Sequence, residues 1–163
     1  MARWSANVPT WTPVAVADTT NFMDAGHMSL QGGSSTQVSK LLEVFMGGQA
    51  TASAPTIMLV ARDSTVGATL SVGRLAALDP ATAALAAPPV VFNTATTKPQ
   101  RSSTLSLLNL SFNAFGGLVR WVAADKEEIG MLGNAASFGE ISLSAFTGGT
   151  PGLMGSHFIF EPM

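Results

Sequence analysis

The chain contains no cysteine, which excludes disulfide staples, thiolate nucleophiles and zinc–thiolate centres and is compatible with a reducing cytoplasm. It has no tyrosine and only two histidines, His27 and His157. Charge is scarce: 11% of the 163 residues are Asp, Glu, Lys or Arg, against roughly 25% in an ordinary soluble domain. The eight basic residues are scattered, with Lys98 and Arg101 the nearest approach to a patch. Phosphate binding needs clustered cations, so no nucleic-acid partner is expected. No stretch reaches the roughly 20 apolar residues that span a bilayer, and the opening Met-Ala-Arg-Trp-Ser-Ala-Asn lacks the apolar core of a secretory signal. No membrane partner is expected.

In place of charge the chain carries Ala, Gly, Ser and Thr, with a 47% apolar fraction and a net charge of -2. So small a net charge gives copies of the chain little mutual repulsion. Much of this neutral surface is therefore expected to be covered in the working state, by other copies or by a partner.

Periodicity points to an all-β fold. Residues 1–26 read as an extended N-terminal arm, because Pro9 and Pro13 interrupt regular structure while Trp4 and Trp11 supply anchors. Trp4, Trp11 and Phe22 are the candidate partner-binding residues. Residues 27–163 read as the domain. Within it, short apolar runs such as Val38–Met46, Thr56–Arg62, Ser137–Phe146 and His157–Glu161 alternate with turns rich in Gly, Pro, Ser and Asn. Ser103–Asn113 changes apolar phase at Leu107-Leu108, the mark of a bulge or of a strand buried on both faces. With Leu118–Ala123 it reads as a β-hairpin around Asn113–Gly117. Asp79-Pro80 ahead of an alanine-rich run predicts one short helix near 80–87, ended by Pro88-Pro89. Seven to nine short strands at this spacing predict an antiparallel β-sandwich or jelly roll.

The residues that carry chemistry are sparse. His27 follows Asp24 and Gly26 at the arm–domain junction, where capping or solvent exposure is expected, and His157 opens an apolar strand. Neither belongs to an H-E-x-x-H pattern, and no Gly-x-Ser-x-Gly elbow occurs. Glu127 and Glu128 are adjacent, so on a strand they point to opposite faces; the Asp125–Glu128 cluster reads as a solvated turn. Glu140 and Glu161 stand alone. The loop Gly148-Gly149-Thr150-Pro151-Gly152 has neither the dinucleotide nor the P-loop spacing. In Ser137–Phe146, Ile141, Leu143 and Ala145 form an apolar face and Ser142 and Ser144 a hydroxyl-lined one. The expectation is a non-enzymatic protein with no cofactor and no metal, acting through its surfaces.

The segments Leu78-Asp79-Pro80-Ala81-Thr82-Ala83-Ala84-Leu85-Ala86-Ala87-Pro88-Pro89-Val90-Val91, Leu107-Leu108-Asn109-Leu110-Ser111-Phe112-Asn113-Ala114-Phe115-Gly116-Gly117 and Phe146-Thr147-Gly148-Gly149-Thr150-Pro151-Gly152 carry a resemblance that spans most of the chain in overall texture. It resembles small structural proteins of tailed-phage virions, most of all capsid decoration, or cement, proteins. The resemblance implies a compact β-domain, often a homotrimer, made in the host cytoplasm and seated on the virion's capsid surface, with the major capsid protein as partner. Such a protein stabilises the shell, commonly through an extended arm. The alternatives are another virion component of the tail, neck or head fibre, or a soluble carbohydrate-binding or enzymatic domain.

Overall fold

A computed structural model describes residues 2–17, 26–134, 136–147 and 149–163, with backbone alone at 68–72, 92, 94–96 and 103–105. In chain order the strands are β1 (Trp4–Trp11), β2 (Ala15–Val16), β3 (His27–Gln31), β4 (Ser39–Gly48), β5 (Pro55–Thr65), β6 (Ala68–Val72), β7 (Arg74–Ala77), β8 (Val90–Thr97), β9 (Gln100–Asn113), β10 (Leu118–Val122), β11 (Ile129–Met131), β12 (Glu140–Phe146) and β13 (Met154–Pro162). They form two packed sheets. The first runs β10-β4-β13-β1-β7, with β11 beside β4 below β10; the second runs β6-β8-β3-β12-β5-β9, with β2 beside β12. Every pair is antiparallel except the two-residue pairing of β2 with β12. The architecture is a β-sandwich.

Strict alternation builds its core. From β1 come Trp4, Ala6 and Val8, from β13 Met154, Phe158 and Phe160, and from β4 Leu41, Val44 and Met46. The second sheet answers with Met28, Leu30, Met58, Val60, Ile141, Leu143 and Ala145. In β4 the inward set changes phase between Leu41 and Val44, because the register against β13 slips there and Leu42 is the extra residue. The phase change in β9 has the same cause: Val60 faces Leu108 and Ala61 faces Ser106, which leaves Leu107 as a bulge.

Four features differ from the sequence expectation. Residues 4–11 are a strand inside the first sheet, between β13 and β7, and not an arm laid on the outside. Pro9 is tolerated because the β1–β13 register slips between Val8 and Trp11. The stretch 80–87 holds no helix. Asp79 makes a local turn instead, its Oδ1 accepting from Ala81 N–H at 2.9 Å and its carbonyl from Thr82 N–H at 3.0 Å, and so short a segment does not repay helix nucleation. Asn113–Gly117 does turn the chain, with Gly117 N–H bonded to Asn113 O at 2.9 Å, yet β9 and β10 do not pair. The turn carries the chain from the second sheet to the first. The described residues hold thirteen strands against the seven to nine expected: β1 and β2 lie within the stretch read as an arm, and β7 is only four residues long.

Candidate functional site

The expected partner-binding residues are placed unequally. Trp4 is 8% and Trp11 4% exposed, both within the hydrophobic core. Trp11 also donates its indole N–H to Ser156 Oγ at 2.9 Å. These rings hold β1 to its own domain. Phe22 lies outside the described residues.

The accessible surface with most character is the outer face of the first sheet, where register sets side chains into rows. One row crosses five strands as Arg74, Asn7, His157, Phe45 and Arg120; the next is Ala76, Ser5, Ile159, Glu43 and Val122; a third is Gly155, Gly47 and Leu118. The Phe45 and His157 rings stack with centroids 4.7 Å apart and planes 10° apart. His157 thus sits on an open sheet face in mid-strand, half-buried. Burial is the main influence pushing its imidazole pKa down; Glu43 opposes and Arg120 assists. Arg120 grips Glu43 with two hydrogen bonds, Nε to Oε1 at 2.8 Å and Nη2 to Oε2 at 3.0 Å. That bonding holds Glu43 below its usual value. Beside the rings, a hollow of about 350 Å³ is floored by Gly47 and Gly155 and bordered by Asn7, Pro9 and Gln49.

The edge of this face is unusually apolar. β10 is the end strand of its sheet, Leu118 and Val122 are 66% and 54% exposed, and Phe115 in the preceding turn is 57% exposed. The cation between them, Arg120, is already neutralised by Glu43. Charged gatekeepers normally blunt such edges; this one has none of its own to spare.

The second sheet has the opposite property. The face of β12 turned away from the core carries Glu140, Ser142 and Ser144, all buried, as are Ser29 and His27 on β3, Asp63 on β5 and Arg101 on β9. The hydroxyl-lined face read from the sequence is therefore closed to solvent. His27, expected at a capped or exposed junction, is a fully buried strand residue opposite Ser144. Ser142 donates to Asp63 Oδ1 at 2.7 Å, and Gly67 N–H to Glu140 Oε2 at 2.7 Å. Arg101 donates through Nη1 to Ser144 at 2.6 Å and through Nη2 to Val16 O at 2.9 Å, with its guanidinium carbon 5.8 Å from the centre of the Phe146 ring. Burial drives the Asp63 carboxyl well above the usual range, and the neighbouring Glu140 charge adds to that. Glu140 is raised by burial too, against Ser29, the Gly67 N–H and Asp63, which pull it down. Glu140, isolated in sequence, thus has a carboxyl partner; Glu161 stands opposite Lys40 on the other sheet.

No group of three or more His, Cys, Asp or Glu side chains among the described residues is arranged to hold a metal ion. Comparison of the chain with family models, curated proteins and solved structures finds no match in any of the three.

Proposed function

We propose that this chain is a structural virion protein that binds the outside of a phage capsid as a decoration protein and stabilises the shell. The observation that carries the proposal is the exposed apolar edge formed by Phe115, Leu118 and Val122 on an end strand. Leu118 and Val122 flank Arg120, whose charge Glu43 neutralises, and apolar side chains of this size left in water mark a contact surface. The low overall charge and the resemblance to decoration proteins point the same way. The capsid contact is assigned to the β10 edge, in place of Trp4 and Trp11, which the domain uses internally. Trimerisation would present three such edges, so that individually weak contacts add to a firm grip.

The test is the copy number of the chain in purified particles produced from the genome that encodes it, measured by quantitative mass spectrometry. Many copies spread over the shell support decoration. A handful at one vertex places the protein in the neck, tail or head fibre, and absence from the particle overturns any virion role.

One observation favours a second reading, a carbohydrate-binding domain. The glycine-floored hollow beside the Phe45–His157 stack borders the Asn7 amide, an aromatic surface beside a polar group of the kind that can receive a sugar ring. A strict monomer by light scattering, together with retention on a glycan column, would favour that reading over decoration.

A further inference from the structure

We propose that Asp63 and Glu140 share one proton in the folded protein, forming a pH-sensitive latch between β5 and β12 that holds while the proton is bound and weakens when it leaves. The hydrogen-bond inventory carries this inference. Each carboxyl has one oxygen served by a donor, Asp63 Oδ1 by Ser142 and Glu140 Oε2 by the Gly67 N–H. The remaining oxygens, Asp63 Oδ2 and Glu140 Oε1, are buried and no N–H or O–H reaches either in good geometry. The β5–β12 register, in which Ile141 faces Arg62, sets Asp63 and Glu140 opposite each other as cross-strand neighbours. Two carboxylate oxygens, both acceptors, bond to one another only through a proton. A single proton placed between Oδ2 and Oε1 satisfies both at once.

Charge balance gives the same count. Facing the pair from the neighbouring strands are Arg101 on β9 and His27 on β3, both fully buried. Arg101 stays protonated and supplies one positive charge. One carboxylate balances it; among the described residues a second meets no further permanent positive charge, and burying it uncompensated is costly. Burial raises both carboxyls, and the neighbouring Glu140 charge raises Asp63 further, so the retained proton belongs to the pair.

The consequence has a definite sign. In the unfolded chain Asp63 loses its proton near the ordinary value of 3.8, while the folded protein keeps it to higher pH. Between those two points the folded state binds more protons, so stability falls as pH rises, by up to about tenfold in the unfolding constant per pH unit. Carboxylates held by a salt bridge or by donated hydrogen bonds act in the reverse direction. Glu43 and His157, both held below their usual values, also push stability upward with pH and so provide a background of opposite slope. The latch is independent of what the domain binds. On a particle, it would make the domain firmest in acid and looser in alkali.

The experiment is equilibrium urea unfolding of the full chain at constant ionic strength from about pH 4.5 to about pH 8.5, for the wild type and for Asp63→Asn. The amide keeps a donor toward Glu140 and an acceptor toward Ser142, without a proton to lose. Relative to the variant, the wild-type midpoint is expected to fall as pH rises, because Glu43 and His157 tilt both proteins alike. A wild-type midpoint that tracks the variant's across this range, or rises relative to it, overturns the latch. Should Asp63→Asn fail to fold, infrared spectroscopy of the wild type decides. A protonated-carboxyl carbonyl band that persists at neutral pH supports the shared proton, and its absence overturns it.

Discussion

Trp4 stands directly opposite Phe160 where β1 pairs with β13, and both rings are buried. The chain's first long strand is thus closed by its last, and the two together lie at the middle of the first sheet. Residues 4–11 belong to the domain's stability and not to its reach.

Trp4→Ala is accordingly expected to destabilise the domain by about 3–5 kcal/mol, the range for truncating a buried aromatic. Urea unfolding measures it. Stability unchanged by the substitution would return the segment to the status of a detachable arm.

Arg101 is the buried counter-charge on the outer side of the second sheet, held by Ser144 and the Val16 carbonyl. Replacing it with Met keeps apolar volume but leaves a carboxylate without its cation. The expected cost is about 3–5 kcal/mol, read by the same unfolding measurement. A loss below about 1 kcal/mol would show that Arg101 does not balance the pair.

Gly32 and Gly130 make a matched test of backbone proximity. A Cβ at Gly32 would lie 1.7 Å from the Gly133 carbonyl oxygen, whereas one at Gly130 meets nothing within 4 Å. Gly32→Ala should therefore lose the soluble fold or destabilise it by more than the roughly 1–3 kcal/mol of ordinary overpacking. Gly130→Ala should be nearly neutral. Soluble yield and thermal unfolding of both variants check the pair.

His157 offers a pH dependence separate from the carboxyl latch. Its folded pKa lies below the model-compound value of 6.5, chiefly through burial. Its contribution is complete above 6.5 and is lost as pH falls through the lowered folded value, because the unfolded chain takes up the proton first. His157→Phe keeps a ring against Phe45 and removes the titration. The acid side of the stability profile should flatten in this variant, and an unchanged profile would assign the acid sensitivity elsewhere.

Much of the fold is legible in the sequence because alternation of period two survives wherever one face meets the core. β13, with Met154, Ser156, Phe158 and Phe160 inward, shows this, as does the phase switch at Leu107-Leu108, which announces a bulge; the slip at Leu42 emerges only from the register of β4 against β13. Sheet membership is not legible. The Asn113–Gly117 turn looks the same whether the next strand pairs back or crosses to the other sheet, and it crosses. β1 is hidden by Pro9 and Pro13, which mimic an unstructured arm until the register slip after Val8 is seen. The buried polar face escapes for another reason. Alternating serines on β12 carry the signature of a solvated face, and only the distant Asp63 and Arg101, brought beside them by strand pairing, explain hydroxyls in the interior. The exposed β10 edge was readable as apolar residues, though not as an edge.

The most direct test of the proposed decoration role is co-sedimentation of the purified chain with capsid shells produced without it from the genome that encodes it, comparing the wild type with Leu118→Lys/Val122→Lys. Both altered side chains are exposed, so the variant's thermal stability should stay within about 0.5 kcal/mol of the wild type. The wild type is expected to pellet with the shells to saturation while the folded variant remains in the supernatant. Failure of the wild type to bind, or equal binding by the variant, would contradict the account.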